Sequence, residues 1–119
     1  MEEHREWFEK AENDLKAANY NHDGGLFDIS AFLSQQAIEK ALKALSLKKF
    51  KKINKVHDLV TLGKNVGLPV KFLNYCKEIT AAYIYTRYPD IPKIENLEVT
   101  AKDFINQAEE ILEWTRRLL

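Results

Sequence analysis

Between Phe27 and Leu47 the chain carries apolar residues on almost every side of a helix, which narrows what it can fold into. At about 100° per residue, Phe27, Ala31, Ser34, Ile38, Ala41, Leu42 and Leu45 form one seam with i, i+3, i+4, i+7 spacing. Ile29, Phe32, Leu33, Ala37, Ala44 and Leu47 occupy most of the opposite side. A helix apolar nearly all round is one surrounded by others, so this segment, centred on Ser34–Leu45, is expected at the middle of a helical bundle. Only Gln36, Glu39, Lys40 and Lys43 leave a polar strip, with Glu39 four residues ahead of Lys43 in the favourable order. Such a pair stabilises a helix by only ~0.2–0.5 kcal/mol, far less than the cost of a desolvated charge without a partner. The strip must therefore find counter-charges, line a groove, or run its lysine stems out to water.

The segments on either side read as further helices. Glu2 to Asn21 predicts the first, with Trp7, Phe8, Ala11, Leu15 and Ala18 on one stripe and Glu2, Glu3 and Glu6 near its start, where the dipole favours acids. Asp14 sits at the edge of that stripe, facing solvent or reaching a cation on the central helix or Arg87. His22-Asp23-Gly24-Gly25 is a turn signal, and so short a link makes the first two helices antiparallel neighbours. Lys48 to Lys55 loses the apolar seam and is expected to be an exposed connection; its lysines around Phe50 and Ile53 are only a weak phosphate-binding signal.

His57 to Leu62 opens a short helix stopped by Gly67, with Leu59, Leu62 and Val66 buried and His57 either a fixed hydrogen-bonding group or a base. Pro69 suits the first turn of the next helix, whose seam is Phe72, Cys76, Ile79, Thr80 and Tyr83. Pro89 biases Tyr88 out of the helical region, which places Arg87 at the helix end, inward-facing and in need of Asp14, Glu39 or a phosphate. Tyr83, Tyr85 and Tyr88 beside it suit packing or stacking on a base. Asp90 to Val99 reads as a connection or lid, and Thr100 with Asp103 as a shortened capping box that opens the last helix. That helix buries Ala101, Phe104, Ile105, Ala108, Ile111, Leu112, Thr115 and Leu118, with Trp114 at the flank as a candidate subunit contact. The sum is an all-α, up-and-down bundle of four long helices and one short one, a single domain over residues 1–119.

Composition agrees with one helical core. Hydrophobic residues make up 45% and charged residues 30%, and only 4 Gly and 3 Pro interrupt the pattern. Lys plus Arg and Asp plus Glu number 18 each, so no overall field steers the chain to nucleic acid or to an anionic membrane, and such affinity needs local patches. One runs from Lys43 to Lys55, with Lys48, Lys49, Lys51 and Lys52 between and no acid. Cys76 has no partner for an intramolecular disulfide, no secretory apolar region follows Met1, and no apolar run spans a bilayer, so a cytoplasmic protein without membrane contact is expected. Cys76, His4, His22 and His57 lack metal-ligand spacing, so no metal or other cofactor is expected.

Taken in order, Ala11-x-x-Asp14-Leu15, the run Ser34-Gln35-Gln36-Ala37-Ile38-Glu39-Lys40-Ala41-Leu42-Lys43-Ala44, His57-Asp58-Leu59 and Arg87-Tyr88-Pro89-Asp90 resemble the HEPN domain, a nucleotide-binding helical module, over nearly the whole chain. The resemblance implies a bundle that commonly forms a homodimer and, in small standalone members, a frequent minimal nucleotidyltransferase partner. Many members are ribonucleases, some of them toxins of toxin–antitoxin pairs, with an Arg followed within a few residues by a His at the dimer interface. Here Arg87 is followed by Tyr88, Pro89, Asp90, Ile91, Pro92 and Lys93, and no His lies downstream. Arginine cannot trade protons near neutral pH. The reading is therefore a non-catalytic module for a nucleotide or phosphorylated ligand, contacted by Lys40, Lys43, Arg87, Tyr88, Gln36 and His57, with Asp14 and Glu39 orienting the cations. A ribonuclease toxin that acts on RNA with Arg87 and either His57 or a group from the second copy of a dimer, and a dimeric scaffold whose strip is an internal salt-bridge network, are the alternatives.

Overall fold

The all-round apolar segment forms the longest described helix, α2 (Phe27–Phe50), and each of the other four packs against it. These are α1 (Glu3–Asp23), α3 (Leu59–Asn65), α4 (Val70–Arg87) and α5 (Leu97–Leu118). The computed structural model describes residues 2–90 and 95–119, with the backbone alone for 83–87. Among the described residues there is no strand, and no helix is long and apolar enough to cross a membrane.

α2 separates two apolar clusters. Its bulky side, Ile38, Leu42 and Leu45, meets Leu59, Leu62 and Val66 at α3, Cys76 and Ile79 of α4, and Phe104 and Ile111 of α5. Its small side, Ala37, Ala41 and Ala44, meets Phe8 and Ala11 of α1 together with Leu112. Alanine on both partners removes the bulk that keeps helices apart, and Ser30 Oγ donates to Ala18 O at 2.8 Å, directly joining α2 to α1. The apolar surround is incomplete at the start of α2, where Ile29 is exposed.

Contacts between α1 and α2 pair low numbers with high ones, Ala18 with Ser30 and Asp14 with Lys40, so the two run antiparallel. The reversal is made at Gly24 and at Gly25, whose φ of 80° suits a residue without a Cβ. α4 and α5 are likewise antiparallel. Tyr75 donates to Glu110 at 2.8 Å and Gln107 to Glu78 at 3.1 Å, while Phe72 meets Trp114 edge to face with centroids 6.3 Å apart. Trp114 is thus half covered within the chain.

Three local expectations change. The helix α2 continues through Lys48 and Lys49 to Phe50, because losing an apolar seam is not losing a helix: lysine propagates helices well and suits the C-terminal dipole. It stops at Lys51 in the left-handed conformation, φ 62°, whose N–H returns to Leu47 O. α5 begins at Leu97, a turn before Thr100, so Thr100 and Asp103 are not its cap; Asn96 enters at φ 54°, a conformation that asparagine tolerates. Leu118, placed in the buried face of the last helix, is exposed. The lid expectation for 90–99 falls partly on 91–94, outside the described residues.

α3 is placed by its cap. Asp58 accepts from the Thr61 N–H at 2.9 Å and from the Thr61 hydroxyl at 2.6 Å, and these bonds hold its carboxyl below the ordinary Asp range. A carboxyl lowered in the folded state stabilises above the unfolded value and loses that contribution as pH falls through the folded one. Asp58→Ala is expected to cost about 1 kcal/mol at neutral pH. The gap to wild type in urea melts should close as the pH is lowered through the acidic range.

Candidate functional site

The polar strip of α2 meets α1 on one side and the α2–α3 link on the other. Lys40 Nζ donates to Asp14 Oδ2 at 2.5 Å, resolving Asp14 toward the central helix. One turn on, Lys43 Nζ lies 3.3 Å from Glu39 Oε2, with side chains only 7% and 11% exposed. Lys43 Nζ also sits 5.8 Å from the ring centroid of Trp7, close enough for a cation–π attraction. The ammonium therefore does not snorkel to water. It is enclosed by a carboxylate and an indole, and the stripe residue Trp7 has a part in the strip that its apolar spacing does not reveal.

Glu39 has a second partner. His57 Nδ1 stands 3.1 Å from the same Oε2, on a ring 79% exposed. A buried carboxylate thus holds an exposed imidazole by one nitrogen and leaves Nε2 toward solvent. When Nδ1 carries the proton and donates it to Glu39, Nε2 is an acceptor. The chain reaches this position because Asp58 caps α3 immediately after His57, which fixes the end of the link.

Asp14, Glu39, Lys40, Lys43 and His57 are thus joined pairwise along one strip. Gln36, one turn before Lys40, is half-buried, and Tyr88 is exposed at the C-cap of α4. Arg87 is the last residue of α4, as expected from the following Pro89, but its side chain and those of Tyr83 and Tyr85 lie outside the described residues. Gln35, not singled out by the apolar spacing, is buried and its Oε1 has no hydrogen-bond partner among the described residues; the same holds for the buried Oγ1 of the half-buried Thr80. Ser34 and Gln36, the neighbours of Gln35, are polar too, so spacing along the helix gave no signal that Gln35 would be buried.

Cys76 is fully buried and its thiol is pushed up to about 12, first by burial and then by the negative charge of Asp58. Such a thiol is not a nucleophile near neutral pH. Among the described residues no group of three or more His, Cys, Asp and Glu side chains is arranged to hold a metal ion.

A family model described as the HEPN domain matches residues 4–118. Among solved structures, ST0689, an archaeal HEPN homologue, is 30% identical with a TM-score of 0.80, and 100% of each chain is covered. TT1696 from Thermus thermophilus is 27% identical with a TM-score of 0.87, again with 100% of each chain covered. A comparison with curated proteins returned no match.

Glu39→Ala leaves the Lys43 ammonium enclosed without a counter-charge, and a loss of about 3–5 kcal/mol in chemical denaturation is expected. The double change Glu39→Leu with Lys43→Met removes both charges and should recover most of that loss; equal losses would mean the pairing is not what stabilises this strip. Cys76 in the native protein should react with a disulfide reagent only at the rate of unfolding, and rapid native-state labelling would contradict its burial.

Proposed function

The chain belongs to the HEPN domain family, and from that premise we propose that it is a non-catalytic binding module for a nucleotide or other phosphorylated ligand. In this reading it works as a homodimer beside a minimal nucleotidyltransferase in the cytoplasm. The observation that supports it is Glu39, which pairs at once with the enclosed Lys43 and the exposed His57. Enclosing an ion pair is expensive, and a packed apolar pair often serves stability as well or better. Here the enclosed pair has one solvent-facing outlet, the imidazole. Lys43 and Glu39 hold that ring, so Lys43 acts as a positioning residue rather than a direct phosphate contact.

In this reading the ligand is met by His57, Lys40 and Gln36 of the strip, and Tyr88 and Arg87, at the end of α4, are further contacts proposed from the sequence alone. A phosphate would take Lys40 in exchange for part of its bond to Asp14, and the Asp14 carboxylate would keep that cation aimed when the site is empty. Tyr88, exposed at the end of α4, would offer a face to the base.

A second reading, a ribonuclease, is favoured by one specific feature: the carboxylate-held His57 leaves Nε2 free to take a proton from a 2′-hydroxyl. Against it stands the sequence after Arg87, which carries no histidine. Incubation of the pure protein with single-stranded RNA separates the two, since the binding module leaves the RNA intact. Cleavage abolished by His57→Ala would replace the binding reading with the catalytic one.

Calorimetry with nucleoside mono- and triphosphates is the direct test. Binding should raise the melting temperature, because a ligand at one hundred times Kd adds about 2.7 kcal/mol. His57→Ala and Lys40→Ala should each weaken that binding while leaving the fold intact. No heat, and no shift in melting, would reduce the strip to an internal salt-bridge network.

A further inference from the structure

The lysines of the α2–α3 link do not share in the pairing of the strip. A cleft of about 460 Å³ opens between the last turn of α2, the link, and the end of α3. Lys52, Lys55, Asn54, Asn65, Phe50 and Ile53 line it, and no carboxylate does. Lys52 and Lys55 are exposed, and neither forms an ion pair among the described residues. Phe50 is a large apolar ring half open to solvent, at 50% exposure, in the middle of this basic surface.

The walls are held in place. Lys49 Nζ donates to Val66 O at 2.8 Å, tying the end of α2 to the end of α3 next to Asn65. Asn54 Oδ1 accepts from the Val56 N–H at 3.0 Å, so the oxygen is occupied and the amide NH2 remains as a donor. The cleft therefore offers two ammonium groups and an amide donor beside an aromatic face. Donors without competing acids select an anion, and the ring selects one with a flat body attached. The volume falls within the ~300–1,000 Å³ of ordinary ligand sites.

We infer that this cleft is a second binding site, one that takes a nucleotide unit of a single-stranded nucleic acid, with Lys52 and Lys55 on the phosphates and Phe50 stacked on the base. A single strand fits better than a duplex, because only an unpaired base presents its face to a side chain. Zero net charge does not oppose this, since the field of a strand is met locally by a segment without acids. The site shares no lining residue with the strip on α2, so it stands independently of the function proposed above.

Fluorescence anisotropy with a short labelled oligouridylate tests it on the intact protein. Two phosphate contacts predict a slope of about −1.4 in log affinity against log salt. The pair Lys52→Glu with Lys55→Glu should lower affinity about tenfold or more, and Phe50→Ala about tenfold through lost stacking. Lys102→Glu, an exposed lysine change on α5, should do nothing. Competition by free uridine monophosphate would assign the recognition to a single unit, and failure of that competition with the charge-reversal loss intact would assign it to the connected strand. Lys40→Ala and His57→Ala should retain binding even if they abolish the response to mononucleotides elsewhere. Absence of oligonucleotide binding at low salt, or binding untouched by both cleft variants, would overturn the inference.

Discussion

The Glu39–Lys43 pair is the interaction on which the arrangement of the charged strip depends. Both groups sit on the most enclosed helix of the chain, and an enclosed charge without a partner would be among the costliest features a domain of this size could carry. Trp7 covers the ammonium from α1, and His57 meets the carboxylate from the α2–α3 link. One carboxylate thereby fixes the relation of three parts of the chain. The neighbouring Asp14–Lys40 pair repeats the contact between α1 and α2 nearer the solvent. These pairings turn what would be an unfavourable stripe on α2 into the place where the molecule presents an oriented imidazole.

The apolar faces of α2 make that arrangement possible. Alanines on the α1 side allow close approach, so that short reaches suffice for Asp14 and Trp7 to meet lysines on the neighbouring helix. Larger side chains on the other face fill the wider space shared by α3, α4 and α5. Burial of Leu59, Leu62 and Val66 anchors α3 beneath the end of α2, and the Asp58 cap sets where the link must end. The link is consequently constrained at both ends, although it has no regular structure of its own between Ile53 and Asp58. Among the described residues Lys52 and Lys55 form no ion pair, while two acids of α5 are engaged elsewhere, Glu110 with Tyr75 and Lys71 and Glu113 with Arg116.

Much of this was legible in one dimension because helix periodicity is local. The seam of α2, the buried face of α3, the end of α4 ahead of Pro89 and most of the face of α5 all follow from residue spacing. Boundaries were less legible where two local signals compete. Lysines at 48 and 49 mark both a solvated link and a favourable helix end, and the second prevails. Thr100 resembles a cap, yet the chain is already helical at Leu97, since backbone hydrogen bonds propagate into Thr100 from Asn96. Leu118 has helical spacing but lies in the last turn, where little of the bundle remains to cover it.

The sequence by itself determined that the chain is helical, that its second helix is the central one, and that Gln36, Glu39, Lys40 and Lys43 form the polar break in its surface. Spacing along one helix suffices for those statements. Only the tertiary structure decided which cations are enclosed and which are reachable. Lys40 and Lys43 are three residues apart on the same strip, but one leans toward Asp14 at the margin and the other is shut in by Glu39 and Trp7. His57 is distant in sequence from Glu39 and becomes its partner through the fold of the link. The physical reason is that charge burial depends on what the other helices bring across the gap, and a wheel drawn for one helix holds no information about its neighbours.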